Sequence, residues 1–242
     1  MMKIIQVPDY EEMSKRAAEF LLKKIKQNPI LTLGLATGST PKGLYEQLIL
    51  DRRKHGTSFQ HVTTINLDEY IGLPASNPNS YHSFMTENLF RHLDIPLSNS
   101  YLPNGEAADL QKECARYESI IDEKGIDVQV LGIGQNGHIG FNEPGTSFNQ
   151  TTHITTLAHS TRQVNARFFH SIEDVPKQAI TMGIASIMKS SEILLLASGT
   201  KKAAAVHQLL SGEISEDFPA SALHHHPHVT IIADDEALSI FT

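Results

Sequence analysis

A chain of 242 residues, 40% hydrophobic and 19% charged, has globular composition and enough apolar material for one large core, so residues 1–242 are expected to form a single domain. The formal net charge of −7 argues against a general nucleic-acid surface, which carries a basic stripe. One cysteine, Cys114, excludes an intramolecular disulfide; no signal-peptide core builds up at the N-terminus, and the apolar runs fall far short of the roughly 20 residues of a membrane helix, which together point to the cytoplasm.

Asp9 followed by Glu12 reads as a capping box ahead of Met13, Ala17, Phe20, Leu21 and Ile25 at helical spacing. The apolar run Ile30 to Ala36 reads as a strand, and after a TGST turn Pro41 opens a helix that buries Leu44, Leu48 and Ile49. A strand at Val62 to Leu67 and a helix near Ser80 to Leu93 follow. Asp109 caps a helix carrying Leu110, Cys114, Tyr117 and Ile121, which places Cys114 in the core, and Asp127 to Ile133 supplies a buried strand. The rest reads as strand Ile154 to Leu157, helix Thr161 to Phe169, strand Ile193 to Ala197, helix Lys201 to Leu210 and strand Val229 to Ala233. Such alternation predicts a three-layer α/β fold: a mainly parallel twisted sheet with helices on both faces, a modified Rossmann-like arrangement. In such sheets ligands bind at the carboxyl ends of the strands, and the four most polar, Gly-rich segments all follow predicted strands.

Thr37-Gly38-Ser39-Thr40-Pro41 offers amides and hydroxyls at a helix start, a phosphate cradle or else a plain turn capped by Thr40. It matches neither nucleotide-binding fingerprint. Ser198 to Lys202 is a second such junction with two cations, and Arg167 adds a planar donor fork. Asp68 and Glu69 end a strand, so one of them is a candidate base. The segment Gly132 to Gly145 holds five glycines, His138, whose side-chain type suits proton transfer near neutral pH, and Glu143 close enough to orient it. His224, His225, His226 and His228 invite a metal reading, but successive residues of a strand point to opposite faces and cannot share one ion, so no metal is expected.

The stretches LGLATGSTP, TINLDEYIGL, PNSYHSFM, LGIGQNGHIGFNEPG, TRQVNARFF and AITMGI occur in the order and spacing of the glucosamine-6-phosphate deaminases, and the chain resembles that family over nearly its whole length. The resemblance implies conversion of glucosamine 6-phosphate and water to fructose 6-phosphate and ammonia without a cofactor. It assigns Asp68 as the enolisation base, His138 as the acid/base of ring opening, and Glu143 with Asn136 as the remaining relay positions; as an ordinary carboxylate, Asp68 is expected to be ionised at neutral pH. Gly38, Ser39, Thr40, Arg167 and Lys202 match the phosphate-binding positions. Two departures stand out. Some members have Asp where this chain has Asn136, which leaves Glu143 as the relay's only carboxylate. Regulated hexameric members carry cations where this chain has His153, Thr155 and Thr156, so weak or absent allostery is expected, in a monomer or a homo-oligomer. The rival readings are a sugar-phosphate lactonase on the same scaffold, which needs no C2 base, and a non-catalytic phosphosugar-sensing domain, which ordinarily carries a DNA-binding helix pair.

Overall fold

The computed structural model describes residues 2–241. Its main sheet has seven parallel strands: β1 (Lys3–Val7), β2 (Thr32–Leu35), β3 (Thr63–Asn66), β5 (Ser100–Tyr101), β6 (Val128–Gly132), β9 (Glu192–Ala197) and β10 (Val229–Asp234), in the order β1-β10-β9-β6-β2-β3-β5. A smaller antiparallel sheet has the order β4-β8-β7, from β4 (Asp68–Tyr70), β8 (Gln178–Thr181) and β7 (His153–Thr156). Among the described residues seven α-helices connect them: α1 (Tyr10–Gln27), α2 (Lys42–His55), α3 (Tyr81–Asn88), α4 (Leu110–Lys124), α5 (His159–Asn165), α6 (Ile184–Met188) and α7 (Ala203–Ser211).

The layers follow from alternation along each strand. Leu33, Leu35, Val130, Leu194 and Leu196 pack under Met13, Leu21 and Ile25 of α1, Leu44 and Leu48 of α2, and Met85 of α3. Their neighbours Ile65, Leu131, Ile193, Leu195 and Ile231 face Tyr117 and Ile121 of α4, Ile184 and Ile187 of α6, and Val206 and Leu209 of α7. Strands buried on both faces need near-continuous apolar sequence, and each fully buried Leu or Ile contributes about 1.5–3 kcal/mol. Cys114 is buried on α4, as expected. Asp9 and Asp109 cap α1 and α4 by accepting from the Glu12 and Lys112 amides.

Three expectations need correction. The strand expected at Ile154 to Leu157 is β7, one residue earlier, and belongs to the antiparallel sheet. The helix expected over Ser80 to Leu93 ends at Asn88 and is followed by a 3₁₀ turn, Phe90–His92. The helix expected over Thr161 to Phe169 is α5 plus a 3₁₀ turn, Ala166–Phe168. Among the described residues no helix is long and apolar enough to cross a membrane.

Candidate active site

The strand order reverses between β2 and β6, whose onward connections run to opposite edges of the sheet. The adjacent strands β9, β6, β2 and β3 therefore deliver their carboxyl-end loops to one crevice. There lies a pocket of about 250 Å³, lined among others by Gly38, Ser39, Thr40, Asp68, Asn136, His138, Arg167 and Lys202. Of the residues singled out from the sequence, Glu143 is not in the lining; it stands behind Asn136 and His138 and contacts both.

The loop after β2 forms the anion-attracting end. The amides of Gly38, Ser39 and Thr40 have no protein acceptor among the described residues. Helix α2 takes Pro41 as its N-cap, with no side-chain cap bond, so the Thr40 hydroxyl does not serve as a cap. Tyr10 braces the loop, donating its hydroxyl to the Ser39 carbonyl at 2.9 Å and accepting from the Gly43 amide at 2.8 Å. Arg167 Nη2 donates to Ser39 Oγ at 3.0 Å, and Lys202 Nζ to the Ile133 carbonyl at 2.7 Å. Burial, together with the neighbouring Arg167 charge, holds the Lys202 ammonium below its usual range. Two cations and a run of uncommitted amides lining one pocket favour an anion there. Asp234 at the end of β10 pins the Ser198-Gly199 loop, accepting from the Ser198 hydroxyl and from the Gly199 amide at 3.0 Å.

Asp68 and Glu69 part company on β4. Glu69 is buried and accepts from the Tyr70, Tyr81 and His82 amides and meets His82 Nδ1, all within 2.8–3.0 Å, so it satisfies the start of α3. Asp68 lines the pocket and accepts no hydrogen bond from the protein among the described residues. Burial, and after it the charge of Glu69, pushes its carboxyl up to about 8. The expectation that Asp68 is ionised at neutral pH is thereby corrected for the empty pocket: a buried carboxylate with no donor holds its proton.

The relay is packed by glycines. A Cβ on Gly134 would lie 2.4 Å from the His138 ring, so only glycine lets the imidazole fold back over this turn. Gly140, at φ +58°, brings the loop past Asp68, whose Oδ2 would lie 3.7 Å from an added Cβ. His138 Nδ1 stands 3.6 Å from Glu143 Oε2, an ion-pair distance too long for a hydrogen bond. Glu143 Oε2 accepts from Asn136 Nδ2 at 2.9 Å, and Asn136 Oδ1 from the His138 amide at 3.3 Å, so Asn136 bridges the two as a neutral spacer. Burial alone would raise the Glu143 pKa, but His138, Thr161 and Asn136 outweigh it and hold the carboxyl down to about 2.

Three residues escaped the sequence reading. Tyr81, which lines the pocket, stacks near Phe141 with ring centroids 6.1 Å apart and donates to the Tyr70 hydroxyl at 3.3 Å. Asn165 of α5 donates to the same Tyr70 hydroxyl at 3.0 Å, and Thr161 donates to Glu143. All three act through side chains brought together from distant segments, which no local spacing announces. The histidine run lies outside the pocket lining: His224 and His226 meet the carbonyls of Leu209 and Ser190 through Nε2 at 2.7 and 2.8 Å.

A mainly parallel sheet whose carboxyl-end segments gather acid/base side chains beside an anion cradle defines an α/β enzyme. The profile of the family described as glucosamine-6-phosphate isomerases/6-phosphogluconolactonase matches residues 8–232, and the chain belongs to that family. It is 58% identical over 240 residues to a glucosamine-6-phosphate deaminase of a Geobacillus species, covering 99% of this chain and 96% of the relative. Glucosamine-6-phosphate deaminase 1 of Bacillus subtilis is 55% identical, covering 99% of both chains. Among solved structures, a monomeric glucosamine-6-phosphate deaminase superposes with a TM-score of 0.97 at 55% identity, covering 99% of this chain and 100% of its own. The 6-phosphogluconolactonase of Leishmania guyanensis, at 22% identity and a TM-score of 0.78 over 98% of this chain and 97% of its own, shares the fold.

Proposed function

We propose that this chain converts glucosamine 6-phosphate and water to fructose 6-phosphate and ammonia, and that the residues gathered in the pocket carry the reaction. The observation that supports it most is the buried, donor-free carboxylate of Asp68 facing the pocket that His138 and the anion cradle share. The cradle of Gly38, Ser39 and Thr40, with Arg167 and Lys202, holds the phosphate and orients the sugar. His138 moves a proton between the anomeric hydroxyl and the ring oxygen to open the ring, and Glu143 stabilises its charged form. The substrate's C2 amino group, as an ammonium, brings the positive charge that Asp68 lacks and favours its ionised form. Asp68 then removes the C2 proton and returns one to C1, which leaves an imine at C2. Water hydrolyses that imine, with no redox step.

We further propose a single cytoplasmic domain that works as a monomer, the monomeric state being supported by the monomeric relative that covers 99% of this chain; light scattering then gives about the chain mass of 26.7 kDa. A coupled assay of ammonia and fructose 6-phosphate formation from glucosamine 6-phosphate, run beside hydrolysis of 6-phosphogluconolactone, tests the reaction. Stoichiometric ammonia is expected; lactone hydrolysis without ammonia would favour the lactonase, and binding without turnover the sensing domain.

A further inference from the structure

Glu143 divides its two oxygens between two sets of partners. Oε2 meets Asn136 and faces His138, whereas Oε1 accepts from the Thr161 hydroxyl at 2.5 Å and the Ala158 amide at 3.4 Å. Both donors to Oε1 belong to the start of α5, the segment that ends by placing Arg167 on Ser39. Thr161 is 6% exposed, and its hydroxyl has no other partner among the described residues. Nor does that hydroxyl serve the helix: α5 has Ala158 as its N-cap and no side-chain cap bond. A carboxylate turns readily about its last torsion, and the Thr161 hydroxyl makes the shortest of the hydrogen bonds that hold Glu143 against that rotation, beside those from Asn136 and the Ala158 amide.

We propose that Thr161 is a positioning residue of the ring-opening relay: it holds Glu143 so that Oε2 faces His138, and it ties that alignment to the seating of Arg167 in the cradle. The proposal rests on the deaminase reading above. One short segment then touches the relay at its start and the phosphate site at its end. Binding free energy gained at the phosphate, far from the reacting carbons, is used to align the group that opens the ring.

Thr161→Val keeps shape and branching but removes the donor, whereas Thr161→Ser keeps the donor. In the valine variant kcat for ammonia release should fall about 10- to 100-fold, the scale of a displaced catalytic group, with KM within about twofold. An open-chain 6-phosphate analogue should bind it as it binds the wild type by calorimetry, which also shows the fold intact. Serine should restore kcat to within about threefold of wild type. Arg167→Ala should lower kcat by a clearly larger factor in the wild-type background than in the Thr161→Val background, where its direct loss at the phosphate remains and the coupled part is already gone. If the valine variant fails to bind the analogue, Thr161→Ala, which cannot overpack, replaces it. A wild type that releases no ammonia overturns the deaminase reading and this proposal together. With an active wild type, a donorless variant of unchanged kcat, or a serine variant as slow as valine, overturns the positioning role alone. Equal loss from Arg167→Ala in both backgrounds overturns the tie to the cradle.

Discussion

Asp68→Asn should make the protein more stable as it makes it inactive, and the gain should depend on pH in a defined way. The carboxyl titrates near 8 in the folded chain against an ordinary value of 3.8. A raised folded-state pKa means that the folded protein binds a proton the unfolded chain gives up, so Asp68's contribution is fully present below about 3.8 and is lost as pH rises toward 8. The loss runs at about 1.4 kcal/mol per pH unit, which amounts to about 4 kcal/mol by pH 7, and it levels off above the folded pKa. Asparagine is nearly isosteric and does not titrate, so the stability of the variant relative to wild type should climb along that slope. Urea unfolding of both proteins at intervals from pH 4 to pH 9 measures it. A difference that does not change over this range would show that Asp68 titrates normally, and the argument from its burial would fail. The kinetics carry the same signature. In the free enzyme the acid limb of kcat/KM should lie near pH 8, and that of kcat should lie lower, because the bound ammonium favours the ionised base. Turnover of the variant should drop at least about 10²-fold to 10⁴-fold, the range of a lost general base.

The parallel core was legible because its strands are buried on both faces and so are written as apolar runs, such as Ile193 to Ala197. Strand β1 was not, since it lies at the sheet edge with Lys3 and Ile4 exposed and makes no continuous run. The small sheet was missed for a related reason. Its member β4 is only Asp68–Tyr70, too short for a periodicity, and it exists because β8 lies opposite, far along the chain. Site residues at strand ends and glycine turns were readable one segment at a time, since those turns have few chemical solutions. Which of two adjacent carboxylates enters the pocket was not, except through the resemblance. That choice depends on α3 placing the amides of Tyr81 and His82 where Glu69 meets them. The charge state of Asp68 was misread because desolvation is a property of the packed site and leaves no trace in the neighbouring letters.

Removing a cradle cation should weaken the substrate: Lys202→Ala should cost about 1.5–3 kcal/mol of binding and raise KM accordingly, and unchanged affinity by calorimetry would refute the cradle. Substrate saturation should be hyperbolic, because His153, whose pKa is held below the usual imidazole range by burial, and the neutral Thr155 and Thr156 provide no cation for an effector phosphate. Sigmoidal curves that turn hyperbolic on adding N-acetylglucosamine 6-phosphate would refute this. The relay itself is tested by His138→Gln, which keeps a hydrogen-bonding side chain in the glycine-framed turn but can no longer carry the proton. Asn136 still bridges to Glu143 through the backbone amide of residue 138, so the loop should hold its shape. The loss should therefore fall on turnover of the cyclic sugar phosphate, by about 10²-fold to 10⁴-fold, while an open-chain analogue with the same phosphate binds as before. Equal losses of affinity for the cyclic and the open forms would mean that His138 grips the sugar in both, and ring opening would have to be assigned elsewhere in the pocket.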